Sequence, residues 1–245
     1  GGGTSSSGTL YRFDYNTNTL TTLHNFDGTN GASPETHLIE GTDGKLYGTT
    51  LTGGAGYGVL FEYDLSTSTY TVLYNFIANS YSGVIQAGNG YLYGTTYSGG
   101  ASSVGSIFEY NLSTSTFSTV HDFNGTTGQY PRSGVHYDAN TDMIYGTTYS
   151  GGTSASGVLY SFDPTSNSFN QLHDFTSGTG GSASYGTPNL TSTGKLIGQT
   201  YTGGTSGAGI VYEYDLSSST FTVLHQLDGT NGSQPLDKLT EGDNG

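Results

Sequence analysis

The 245-residue chain contains no cysteine and no tryptophan, and has one methionine, five prolines and five basic residues. Without cysteine there are no disulfides, no thiol chemistry and no cysteine-ligated metals, although the compartment stays open. The bases are Arg12, Lys45, Arg132, Lys195 and Lys238; against 19 acids they leave a formal net charge of −14. No basic patch exists for nucleic acid or an anionic membrane. No apolar run approaches the ~20 residues of a membrane-spanning helix. No leader segment is visible either, though a mature chain would have lost one. Charged residues make up 10% of the chain, where ~25% is usual.

Glycine (41 residues), tyrosine (21), serine and threonine take their place. Such a composition suits a disordered chain, but 32% hydrophobic residues in regular alternation read as short strands joined by glycine-rich turns. With scarce lysine, it also suggests a secreted bacterial surface protein.

One octet recurs: YGTTLTGG (Tyr47–Gly54), YGTTYSGG (Tyr93–Gly100 and Tyr145–Gly152) and IGQTYTGG (Ile197–Gly204). The Gly-Gly pairs begin at Gly2, Gly53, Gly99, Gly151 and Gly203, spaced 46 to 52 residues apart. Periods of this size belong to solenoids, propellers or arrays. Between Pro34 and Phe76, one period holds four runs, THLIEG, KLYGTT, GVLFEYD and STYTVLYNF, each bounded by turn residues. No 3.6-residue apolar stripe marks a helix. Four strands in about 45 residues predict a β-propeller blade.

The third strand recurs as GTLYRFD, GVLFEYD, GSIFEYN, GVLYSFD and GIVYEYD. Val59 and Leu60 point to opposite faces yet both are apolar, so both faces of each sheet must be covered, as stacked blades provide. The acid or amide ending this strand (Asp14, Asp64, Asn111, Asp163, Asp215) suits an Asx turn and is read as structural.

The expected architecture is all-β: one domain, 1–245, forming a propeller of about five four-stranded blades. Complete blades cover 34–76, 82–123, 131–175 and 188–227. The fifth is split, its third and fourth strands lying in 8–26 and its first in 235–245, and it lacks a second strand. Either the sequence belongs to a longer repeat array, the preferred reading, or a neighbouring chain supplies the strand by β-augmentation.

SFDPTSNSF (Ser161–Phe169) resembles the kelch hairpin, with Phe169 at the usual tryptophan position. The whole unit, P…L…DGKLYGTT…GG…GVLFEYD…LHNFDGTNG, resembles the GloVer-type tandem repeat of choice-of-anchor bacterial proteins. That resemblance covers essentially the entire chain and implies secretion and surface display; it brings no catalytic motif. IANSYSG where the first repeat has DGTNGASP, and LIGQT for LYGTT, depart from the pattern.

Loops joining strands two to three and four to one share one face, the usual ligand face of a propeller. The residue entering the Gly-Gly loop is Tyr97, Tyr149 or Tyr201, with Leu51 in another copy. A partial tyrosine ring could stack on sugars and bond their hydroxyls. The competing and favoured reading packs these rings between blades. His24, His121, His173 and His225 recur at one position, but on separate blades they cannot share a metal with ~2 Å bonds. They are expected to be half-buried and hydrogen-bonded on an edge strand. His37 and His136 lie on first strands at non-equivalent positions. Glu40, Asp138 and Glu241, with Gln86, sit at first-strand ends on the face opposite the Gly-Gly loops, which is wrong for a funnel glycosidase. Calcium is the one cofactor the loops suggest, in DGTNG-type sequences bearing Asp27, Asn124 or Asp228, though ordinary turns are the preferred reading of these. Gly-Gly followed by Ser or Thr lacks the lysine and strand-to-helix setting of a phosphate loop.

The expectation is a non-enzymatic, extracellular or cell-surface bacterial module recognising a glycan or protein through the Gly-Gly-loop face. A structural repeat of a fibre or adhesin stalk with strand exchange is the alternative, and a glycoside hydrolase ranks last.

Overall fold

The computed structural model describes residues 2–242, so the end of the 235–245 segment, residues 243–245, lies outside the described residues. The described chain is all-β, with no helix among its elements. An N-terminal hairpin pairs β1 (Thr9–Asp14) with β2 (Thr19–Asn25). The first four-stranded sheet follows: β3 (Ile39–Glu40), β4 (Leu46–Thr49), β5 (Val59–Asp64) and β6 (Thr69–Asn75). The second holds β7 (Ile85–Gln86), β8 (Leu92–Thr96), β9 (Ser106–Asn111) and β10 (Thr116–Asp122). The third holds β11 (His136–Asp138), β12 (Met143–Thr147), β13 (Val158–Asp163) and β14 (Ser168–Asp174). The fourth holds β15 (Asn189–Leu190), β16 (Lys195–Thr200), β17 (Ile210–Asp215) and β18 (Thr220–Gln226). In each, the strands lie in chain order and pair antiparallel.

The hairpin joining third and fourth strands is set by its Asx turn. Asp14, Asp64, Asn111, Asp163 and Asp215 each accept the backbone N–H two residues on, at 2.8–2.9 Å. The turn then passes through a left-handed residue: Asn18, Ser68, Ser115, Asn167 or Ser219. The hydrogen bonds favour the carboxylate form and draw all four acids below the ordinary range.

Four apolar cores lie between successive sheets. Leu10 and Phe26 of the hairpin meet Phe61 and Tyr63 of the first sheet. Tyr47, Leu60 and Phe76 of that sheet meet Leu92, Phe108 and Tyr110 of the second. Tyr93, Ile107 and Phe123 then meet Ile144, Tyr160 and Phe162, and Tyr145, Leu159 and Phe175 meet Leu196, Tyr212 and Tyr214. The third strands of the first three sheets, β5, β9 and β13, therefore feed two cores each, one per face. A buried Leu or Phe contributes roughly 1.5–3 kcal/mol, so the sheets stand only as a stack.

His24, His121 and His173 are part of this packing, held by ring stacking in place of the expected edge-strand hydrogen bonds. His24 stacks on Tyr70, His121 on Phe169 and His173 on Phe221, with centroids 3.7–4.0 Å apart and planes within 6°. Tyr74 stacks identically on Phe117. Nε2 of His24 and of His121 is buried without a partner. At a fourth strand facing the next sheet's aromatic residue, an imidazole serves as a flat ring. Among the described residues no ring stacks on His225; its Nε2 lies 3.0 Å from Asn231 Nδ2.

Two predictions follow from the cores. Tyr160 and Tyr212 bury hydroxyls without partners where the equivalent residues are Phe61 and Phe108. Tyr160→Phe should therefore leave stability unchanged or raise it by up to about 1 kcal/mol in denaturant melts. Burial holds His24, His121 and His173 below the ordinary 6.5, so they are neutral in the fold. The unfolded chain takes up protons below about pH 6.5, so this stability is present above that pH and is lost as pH falls. His121→Tyr, copying Tyr74, should flatten the drop in melting temperature between pH 7 and 5.

Candidate functional site

Each Gly-Gly loop is the backing of one face. The first glycine holds φ of +81° to +90° at Gly53, Gly99, Gly151 and Gly203. A Cβ on Gly151 would stand 2.7 Å from the Gly128 backbone, and one on Gly53 2.6 Å from Gly28 O. The octet thus lets the loop between second and third strands lie directly on the loop that leads into the same sheet. A Cβ on the second glycine, at Gly54, Gly100 or Gly152, would strike the side chain of Asn75, Asp122 or Asp174. The Asp122 and Asp174 carboxylates accept the next loop N–H, Ala101 and Thr153 each donating at 3.0 Å.

The first strands and the residues before them surround a cavity of ≈ 1070 Å³. Its walls are Glu35 to Glu40, Tyr81 to Gly83 with Ile85 and Gln86, Arg132 to Tyr137, Tyr185 with Thr187, and Leu236 to Lys238. A repeating bond joins these walls to the neighbouring sheet. Thr49 Oγ1 donates to Ser82 O (2.8 Å), Thr95 Oγ1 to Ser133 O (3.4 Å) and Thr147 Oγ1 to Gly186 O (3.4 Å). Gln199 Nε2 donates to Asp237 O (2.6 Å) in the same way. This register sets Glu35, Tyr81, Arg132, Tyr185 and Leu236 at one level, the mouth on the Gly-Gly-loop face. One step deeper come His37, Gly83, Gly134, Thr187 and Lys238.

Tyr97, Tyr149 and Tyr201 are half-buried at that mouth but do not line the cavity. They follow the second strands, one strand farther from the axis than Tyr81 and Tyr185, which do line it. Tyr97 packs on Tyr81 and Tyr130, both at 5.0 Å, while Tyr185 lies 5.2 Å from Tyr149 and 4.8 Å from Tyr201. Arg132 joins the two groups: its Cζ lies 5.1 Å from the Tyr81 ring, 5.5 Å from Tyr97 and 4.8 Å from Tyr185. The sequence does not single out Tyr81, Arg132 and Tyr185, because the first-strand approach differs in every repeat; each lies 14 or 15 residues before the strand-two Thr95, Thr147 or Gln199, and that spacing was the available signal.

Deeper in the cavity, a Cβ on Gly83 would lie 3.0 Å from the His37 imidazole, so glycine leaves that ring its space. Burial and the Lys238 charge keep His37 below its ordinary pKa. Burial does the same for His136, with Asp138 opposing and Lys238 assisting. At the far end, Thr42 N–H donates to Gln86 Oε1 (2.8 Å) and Gly88 N–H to Tyr137 Oη (2.7 Å). Glu241 closes the series, accepting Ser192 N–H and Oγ–H, both at 2.9 Å. Asp138 is occupied by its own turn through Asn140 and Thr141. Among the described residues no three His, Asp or Glu side chains gather to hold a metal. Asp27 and Asp228 accept N–H groups of their own turns.

The model of a family described as Gloeobacter/Verrucomicrobia repeat matches residues 1–82 and 77–245, and the chain belongs to this repeat family. No curated protein matches it in sequence. Among solved structures, a chain of the nidogen/laminin complex is similar at TM-score 0.61 and 12% identity, over 95% of this chain and 76% of that one. TolB from Acinetobacter baumannii is similar at TM-score 0.55 and 17% identity, over 89% of this chain and 49% of TolB. The extracellular domain of a one-component system from B. thetaiotaomicron gives TM-score 0.62 and 14% identity, over 94% of this chain and 27% of that one. At such identities the likeness concerns the fold alone, which is β-propeller-like.

Among the described residues, the side chains of Gln199, Ser192 and Glu241 hydrogen-bond the C-terminal segment to the fourth sheet. In a Gln199→Met, Glu241→Ala double variant this segment should loosen. Trypsin cleavage after Lys238, followed by mass spectrometry, is expected to run several-fold faster than in the unaltered protein.

Proposed function

We propose that this member of the Gloeobacter/Verrucomicrobia repeat family is an extracellular or cell-surface binding module, not an enzyme, that recognises a glycan at the Gly-Gly-loop mouth of its central cavity. One observation carries the reading: six half-buried tyrosines form an arc at that mouth, with Arg132 between them. Tyrosine offers an apolar face for the C–H side of a sugar and a hydroxyl for its polar edge. The family match supports surface display through the resemblance already drawn, and likeness to an extracellular bacterial domain is consistent with it.

The same reading takes the molecule as five units around one axis. The hairpin β1–β2 and the segment from Pro235 share the fifth. Support comes from Asp237, which accepts the bond that Ser82, Ser133 and Gly186 accept elsewhere.

A second reading, a structural repeat that exchanges strands in a fibre or adhesin stalk, draws on the hairpin. Tyr11 and Phe13 are 57% and 52% exposed, whereas their counterparts Phe61 and Tyr63 are 1% and 2% exposed. Among the described residues β1 pairs only with β2.

A glycan array followed by titration separates the two. We expect selective saccharide binding that Tyr185→Ala weakens at least about fivefold, the loss of one stacked ring. A blank array, together with concentration-dependent self-association in sedimentation, would favour the structural reading.

A further inference from the structure

Cations are so few in this chain that each can be accounted for. Lys45 is bonded to Glu62 at 3.0 Å and Lys195 to Glu213 at 2.7 Å, across neighbouring strands. Arg12 is exposed on β1. The remaining two, Arg132 and Lys238, both line the cavity, and among the described residues neither has a carboxylate partner within ion-pair distance.

Arg132 is the better placed. Tyr81, Tyr97 and Tyr185 hold its guanidinium by their ring faces, an attraction that offsets part of the cost of removing the charge from water. Cation–π contact uses none of its five N–H donors. Among the described residues the group makes one hydrogen bond, from Nη1 to Tyr185 Oη at 3.3 Å. A planar fork fixed by rings, with most donors unspent at the mouth of a cavity, matches a carboxylate in two-point contact. Glu35 occupies the same level of the mouth, and Asp237 and Glu40 line the cavity too. Those carboxylates repel a second negative group, so a polyanion or a phosphate dianion fits poorly and a ligand with a single acid fits well.

We infer that the Arg132 side of the mouth is a subsite for the carboxylate of a uronic-acid-type sugar, whose ring lies against Tyr81 or Tyr185. This rests on the glycan reading above and narrows it to acidic saccharides. Arg132 would set specificity; the tyrosines would supply contact area common to charged and neutral sugars.

The test uses the whole chain and three probes: an oligosaccharide ending in one glucuronic acid, its methyl ester, and the glucose-terminated counterpart. Binding is followed by calorimetry or by NMR titration of tyrosine signals. The acid should bind at least about tenfold tighter than the ester, which should resemble the glucose form. Arg132→Gln should bring that ratio close to one while leaving ester binding in place. Arg132→Lys, which keeps the charge and loses the fork, should retain only part of it. Equal binding of acid and ester to the unaltered protein overturns the subsite and leaves the glycan reading standing. So does an unchanged ratio in an Arg132→Gln protein that melts like the original. Failure of all three probes, with a blank array, overturns both readings. The ratio in the unaltered protein needs no variant to fold, so it decides the matter on its own.

Discussion

The structure depends on the two-faced third strand. Because successive residues such as Val59 and Leu60 are both apolar and point to opposite faces, a sheet within the series needs a neighbour on each side. The first three sheets are therefore held between neighbours, and the cores form between sheets rather than within them. The stacked ring pairs on the outer strands, His121 on Phe169 and its equivalents, carry the same contact outward. Stability is then shared along the series, as in other repeat architectures.

This packing also creates the site. With second, third and fourth strands taking the sheet-to-sheet contact, the short first strands are left around one axis, where side chains from successive repeats meet. Arg132 reaches Tyr81 and Tyr185, about fifty residues away on either side, because each occupies the same step before its first strand. The cavity wall is held by backbone carbonyls accepting from Thr or Gln side chains of the adjacent sheet, a bond that places no demand on the residue supplying the carbonyl. The mouth can therefore vary from Glu35 to Tyr81 to Arg132 while the frame stays constant. Fixed frame and free side chains are what a recognition surface requires.

The hairpin β1–β2 shows the rule from its other side. One face packs on the first sheet through Leu10 and Phe26, while Tyr11 and Phe13 on the other remain exposed. Likewise, among the described residues, His225 lacks the aromatic residue that its counterparts meet; the matching position on β2 is Leu20, itself exposed. An apolar face left in water at both ends of the stack identifies these surfaces as the places where the contact pattern stops, and they carry the alternative reading of the protein.

From the sequence alone, the repeat period, the four strands per unit, the Asx hairpins and the need to cover both sheet faces could all be read, because each is set by local chemistry: alternation, turn residues, a terminal Asp. The Gly-Gly octet was legible as a pattern, but its cause lies in contacts with Gly28 or Gly128, over twenty residues away. The histidines were legible as a series and misread in their setting, since a period of two says which face a ring takes and nothing about the ring it will meet. The tyrosines were only half legible. Tyr97, Tyr149 and Tyr201 stood out because they repeat, whereas Tyr81, Arg132 and Tyr185 form the mouth and repeat in position without repeating in kind. Tertiary structure alone decided that, because the axis around which they meet exists only once the sheets have stacked.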